Sequence, residues 1–281
     1  MLAEPAGEER FQVRADAVVL GLVGSPNRDG RTFHVVSAAL EGAARAGAKV
    51  ELVQLADYRV AACKDCVSST CADTQKCAFS DTGLEYLSEK LLSCGALVLG
   101  APIYWWDTTA LVRLLILKMF RVFARGGTFA GLPALGIGVA GGTGNGLASG
   151  LRPLYHLFQM QQMRALDPLL VTRFNWDRAI SLAEKQGAVL ASLAGERHPF
   201  TCLEERLLTY DSLPYLSMSR AAERRLLAAL SAAAASGATA AEIARLYGEA
   251  EALAASGEDL ESLRLTTSIY ETGVKAFEAQ G

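Results

Sequence analysis

Cysteine is nearly absent outside one short stretch. Of six cysteines in 281 residues, four fall between positions 63 and 77, and only Cys94 and Cys202 stand elsewhere. A secreted scaffold held by disulfides would spread its cysteines along the chain, so that class is excluded. Cys94 and Cys202, in apolar or helical settings, read as small buried thiols. Histidine is scarcer still. None of His34, His156 and His198 stands beside a serine, cysteine or carboxylate in a catalytic arrangement, and each reads as a helix or loop residue rather than a general base. Long hydrophobic runs are missing too. Residues 91–106 carry no charge but are interrupted by Gly95, Gly100 and Pro102, and the uncharged run 126–151 is broken by glycines and hydroxyls. Neither suits a membrane span. The opening MLAEPAGEERFQVRADAV lacks the apolar core of a signal peptide, so residues 1–15 are expected to form a tail on a cytoplasmic protein. The formal charge of −3 is spread over well-mixed residues with no basic stripe. That leaves nucleic acid out and makes a small molecule the expected partner.

Five short apolar runs are present: AVVLGLVG (17–24), KVELVQL (49–55), GALVLGAP (95–102), PALGIGVA (133–140) and ALDPLLVT (165–172). They are mostly continuous rather than alternating, as expected of parallel strands covered on both faces. Helix-like stretches lie between and after them, near 31–46, 82–93, 108–124, 149–163 and 177–194. The second opens on a capping box, Thr82 with Glu85. Strand and helix alternating five times give an α/β fold, a doubly wound five-stranded parallel sheet over residues 16–199. From residue 200 to 281 the chain turns Ala- and Leu-rich without strands, with a further capping box at Thr239 and Glu242 and an apolar stripe through Leu260, Leu263, Ile269, Val274 and Phe277. A C-terminal helical extension is expected there.

Ligands in such sheets sit at the carboxyl ends of the strands, which points to three loops. The first, GSPNRDGRTF (24–33), offers hydroxyls, an amide, two guanidiniums and a helix N-terminus, a combination that suits a terminal phosphate. It is neither a Walker loop nor a GxGxxG turn, and an ordinary turn whose Ser and Asn cap the helix is the alternative. The second, APIYWWDTT (101–109), places Tyr104, Trp105 and Trp106 where they can flank a flat heterocycle or pack at an interface. The third, AGGTGNG (140–146), lets backbone approach a ligand face.

The thiols read Cys63-x2-Cys66-x4-Cys71-x5-Cys77. Four thiolates on one loop can wrap a [4Fe–4S] cubane or a tetrahedral zinc, or the site can stand empty. Structural zinc more often uses two CxxC pairs set well apart, which this loop lacks.

In the order of these pieces the chain resembles the flavodoxin-like NAD(P)H-dependent FMN reductases, and within them the iron–sulfur flavoproteins, whose cysteines run Cys-x2-Cys-x2-Cys before a fourth. The resemblance covers residues 16–195 and rests on GSPNRDGRT, the cysteine stretch, GALVLGAPIYWWDTTALVRLLILKMFR and GGTGNG. It implies that Ser25, Asn27, Arg31, Thr32 and the Phe33 amide hold the FMN phosphate, and that Pro102, Ile103, Tyr104, Trp105, Gly141 and Gly142 line the ring. It also implies a [4Fe–4S] cluster on Cys63, Cys66, Cys71 and Cys77. Electrons from NAD(P)H or ferredoxin would then reach a small-molecule acceptor, and a homodimer or homotetramer is expected. A non-enzymatic electron carrier, or a plain FMN reductase without a cluster, is the alternative.

Overall fold

The computed structural model describes residues 17–66, 70–142, 144–235 and 238–278. The expected tail of residues 1–15 and position 143 of the third loop lie outside them. A parallel sheet runs through β1 (Val18–Val23), β2 (Lys49–Gln54), β3 (Ala96–Pro102) and β4 (Pro133–Ala140) in the order β2-β1-β3-β4. The fifth position, beside β4, is shared by two pieces, β5 (Arg164–Ala165) and β6 (Leu169–Thr172). Five apolar runs therefore give five sheet positions, but the last run is not one strand. Pro168 has no N–H to give the ladder, and the chain leaves the sheet at Asp167–Pro168 before rejoining it.

β3 and β4 are buried along their whole length, whereas β2 begins exposed at Lys49 and Val50, as an edge strand does. The burial has period two along β1: Leu20 and Leu22 enter the core under α3 (Thr82–Ser93), α4 (Ala110–Val122) and α5 (Leu147–Met160), while Val19 and Val23 enter the core under α1 (Arg31–Arg45) and α6 (Trp176–Leu193). A short helix, α2 (Thr70–Thr74), precedes α3. Helix α3 starts where expected, but its cap is Asp81, whose carboxylate accepts from Leu84 N at 3.2 Å, not Thr82.

Helices α1 and α6 meet backbone to backbone. A Cβ on Gly42 would stand 1.9 Å from the Glu184 carbonyl oxygen, and one on Gly187 would stand 1.8 Å from that of Ala39. No side chain fits in that seam.

Beyond the sheet follow α7 (Leu203–Ser212), α8 (Arg220–Ala234), α9 (Ala238–Ala255) and α10 (Asp259–Glu278). Helix α9 already includes position 239, and the Thr239 side chain lies outside the described residues. Leu227, Ala228, Ile243, Ala250, Ile269 and Tyr270 form a separate apolar core with Phe174 packed against it. The α10 stripe is rotated from the expected one. Leu260 is exposed, and Ser262 and Thr266 face inward with Ile269 and Tyr270. The reason is that both hydroxyls find main-chain acceptors, Ser262 donating to Ala250 O and Thr266 to Ser262 O, each at 2.8 Å, so small polar residues tolerate the close packing. Cys94 is buried as expected, donating to Leu91 O at 3.3 Å, and burial pushes its thiol up to about 12. Cys202 is not. It is exposed and caps α7, its sulfur accepting from Glu205 N at 3.4 Å.

Candidate functional site

The three loops meet at the carboxyl edge around one cavity of about 750 Å³, a size that suits a cofactor. Ser25, Asn27, Arg31 and Thr32 line it from the first loop, and Pro102, Ile103, Tyr104 and Trp105 from the second. Gly141 and Gly142 line it from the third. Phe33 does not. It sits on α1 with its ring edge-on to His34 and packed on the α1–α6 core. None of the three histidines lines the cavity either. Trp106, named in the second loop as able to flank a heterocycle or pack at an interface, lines the cavity too, as do Ala140 and Asn145 of the third loop, while Val139, inside β4, was not singled out.

Several details give the first loop the chemistry that suits an anion. Ser25 is buried, and its hydroxyl oxygen accepts from Asn27 N at 3.1 Å, which leaves its proton free to donate. Helix α1 starts with no side-chain cap and no acidic residue in its first turn, so its amides and the positive end of its dipole are uncompensated. The two guanidiniums divide: Arg28 pairs with Asp57, and Arg31 lines the cavity and donates to Gly141 O, joining the first loop to the third. Gln54 at the end of β2 donates to Ser25 O at 2.5 Å, and Thr109 donates to Gly24 O at 2.6 Å, tying the first loop to its neighbours.

The aromatic loop closes on itself. Tyr104 N donates to Asp107 O (2.8 Å) and Asp107 N to Tyr104 O (3.0 Å), with Trp105 and Trp106 between them at φ 51° and 61°. Two left-handed residues in a two-residue turn define type I′, which ordinarily takes Asn-Gly. Holding bulky residues there costs on the order of 1–3 kcal/mol each. Trp105 recovers nothing by burial, since 90% of its surface is exposed. The turn is braced instead from Asp107, which takes both Nε (3.0 Å) and Nη2 (2.8 Å) of Arg113 on Oδ1.

The extension reaches this site without lining it. Glu223 on α8, 6% exposed, accepts from Gly146 N and Ala148 N, both at 2.8 Å. It thereby caps α5, whose own cap residue, Gly146, has no side chain and sits at φ 80°. Arg220 lies 5.7 Å from the Trp106 ring. The extension is thus a buttress behind the third loop rather than part of the cavity lining.

All four cysteines line a second cavity of about 240 Å³. Cys71 is buried on α2, and Cys63, Cys66 and Cys77 are half-buried. Lys64, Lys118 and Arg121 also line it, and no carboxylate does, so the cavity favours an anionic occupant such as a thiolate-ligated group. The far half of α4 grips the cysteine loop. Lys118 donates to Cys77 Sγ at 3.3 Å and pairs with Asp81 at 3.0 Å. Arg121 donates to Cys66 O at 2.8 Å, and Arg125, just past the helix, pairs with Asp73. Burial acts to lower the Lys118 pKa, but its hydrogen bonds to Asp81 and Cys77 outweigh that and hold it above the ordinary value. Among the described residues no group of three His, Cys, Asp or Glu side chains converges as a ready site for one metal ion. Lys118 is nine residues along α4 from the Thr109 cap beside the aromatic loop, about 14 Å of helix, so the cysteine cavity lies well down the fold from the larger one.

The model of the NADPH-dependent FMN reductase family matches residues 17–175. The chain belongs to that family. The C-terminal extension lies outside the match. Among curated proteins the chain is similar to an iron–sulfur flavoprotein of Methanocaldococcus jannaschii, 32% identical over 98 residues that cover 35% of this chain and 49% of that one. It is also similar to an iron–sulfur flavoprotein of Methanosarcina thermophila, 28% identical over 97 residues, covering 34% and 49%. The chain thus spans about half the length of the curated relatives it matches. Among solved structures, a flavone reductase aligns over 67% of this chain and 69% of its own with a TM-score of 0.50 at 16% identity, a likeness of fold alone. No helix among the described residues is long and apolar enough to cross a membrane.

Proposed function

We propose that the protein is an FMN-dependent iron–sulfur oxidoreductase that passes electrons from NAD(P)H or ferredoxin to a small-molecule acceptor. FMN, when bound, supplies hydride and single-electron chemistry, and a [4Fe–4S] cluster supplies single-electron steps. Ser25, Thr32, Arg31 and the first amides of α1 bind and orient the phosphate. Pro102, Ile103 and the backbone of Gly141 and Gly142 fix the ring plane, while Tyr104 and Trp105 shield its face from water.

The observation that supports the cluster half of this reading is that Cys63, Cys66, Cys71 and Cys77 all line one cavity whose charged lining is cationic. The residues fit the group in number, chemistry and charge. The test is iron, acid-labile sulfide and FMN content of anaerobically prepared protein. Each of the four Cys→Ser changes is expected to lower iron and sulfide sharply and leave FMN bound, while Cys94→Ser and Cys202→Ser change neither. Flavin with no metal in the unaltered protein would leave the plain FMN reductase, and one zinc without sulfide would refute the cluster as well.

A further inference from the structure

Lys118 is out of place on α4. The helix reads ALVRLLILKMFRV, and Lys118 falls on its inward face with Val112, Leu115, Met119 and Val122. Its side chain is 5% exposed and that of Asp81 1%. A buried ammonium persists only against compensating anions. Asp81 is one, yet it is already committed, accepting from Leu84 N at 3.2 Å and Ala61 N at 3.1 Å besides Lys118. The remaining partner is the Cys77 sulfur at 3.3 Å. The other α4-side cations differ in kind. Arg121 reaches a carbonyl and the exposed Asp65, and Arg125 pairs with Asp73 at the surface, so solvent and salt screen both. Among the described residues only the Lys118 charge donates a hydrogen bond to sulfur, and it does so where screening is weak.

We infer that Lys118 sets the reduction potential of the group held by the four cysteines, by fixing a buried positive charge against the Cys77 sulfur. The inference rests on the cluster reading above. Taking up one electron from a reductant adds one negative charge to a thiolate-ligated group, with no proton required. Hydrogen bonds to the sulfurs and net local charge are the protein's means of tuning that step. Lys118 supplies both through one group, so it favours the reduced form. As a positioning residue it leaves the FMN cavity untouched, being absent from its lining.

The test uses full-length protein loaded anaerobically with iron and sulfide and titrated reductively while the cluster signal is followed. Lys118→Met combined with Asp81→Asn removes both charges of the buried pair together and keeps an oxygen to cap α3, so no lone buried carboxylate is left. It is expected to lower the equilibrium constant for one-electron reduction at least tenfold, a shift of about 59 mV to the negative. Lys118→Arg keeps the charge and is expected to stay within that tenfold. Asp81→Asn alone keeps Lys118 and strips a negative charge, and it is expected to move the midpoint the opposite way. A merely structural role would not produce opposite signs. If the double variant does not fold, the Asp81→Asn arm decides by itself. Unchanged midpoints at unchanged iron and sulfide overturn this inference alone. Unaltered protein that takes up neither iron nor sulfide overturns the cluster reading, and this inference with it.

Discussion

Trp105 and Trp106 occupy backbone that two of the bulkiest side chains tolerate least, and Trp105 is 90% exposed at the mouth of the larger cavity. Replacing Trp105 by Gly places the residue that adopts φ > 0 freely into the first position of a I′ turn. Little packing is lost, because little exists. The flavin-free Trp105→Gly chain is therefore expected to be as stable as the parent or more so, by up to about 1 kcal/mol, in chemical denaturation. The same change is expected to weaken FMN affinity, measured by flavin fluorescence, since the ring proposed to shield the cofactor is gone. Clear destabilisation of the flavin-free form would show that the turn carries no strain. This feature was illegible in the sequence: YWW announces aromatics at a ligand mouth, but no propensity places tryptophan left-handed.

Helix α5 begins where the third loop ends, and its first amides are satisfied from a helix 75 residues later in the chain, through Glu223 to Ala148. A carboxylate suits that place twice over, accepting two N–H bonds and standing at the positive end of the helix dipole. Glu223→Gln turns one acceptor into a donor facing an N–H. A loss of about 1.5–3 kcal/mol in denaturation is expected, with weaker FMN binding because Gly141 and Gly142 lie just upstream. Equal stability of the two proteins would mean that α5 caps itself. Nothing in the local sequence around 146 or 223 marks this pairing, for the partners are distant and neither matches a capping pattern. Helices with local signals were legible. Asp81 and Thr82 stand side by side where α3 begins, and the chain uses the first rather than the second. The cysteine spacing raised a cluster, a zinc or an empty loop as readings, while the α4 cations that face the cysteines were hidden in a helix that reads as plain core.

The sheet was the most legible part of the molecule, because strands buried on both faces must be written as continuous apolar runs, and only Pro168 broke the correspondence. How the layers are held was not legible, since small residues record contact only by omission. Gly42 and Gly187 let α1 and α6 touch through their backbones, and backbone cannot change rotamer to relieve a misfit. The helix whose first residues line the larger cavity is thus clamped by a partner that contributes nothing to that lining. Such a joint transmits displacement instead of absorbing it. Gly187→Ala is expected to destabilise by about 1–3 kcal/mol as an overpacked contact, and in addition to weaken FMN binding at a distance by levering α1 off its bearing. Stability lost with FMN affinity intact, by calorimetry on the refolded variant, would show that the misfit is absorbed locally. Read mechanically, the seam is a hinge welded shut: the start of α1 is expected to keep its place with or without a ligand, so that little conformational freedom would be surrendered on binding the proposed flavin.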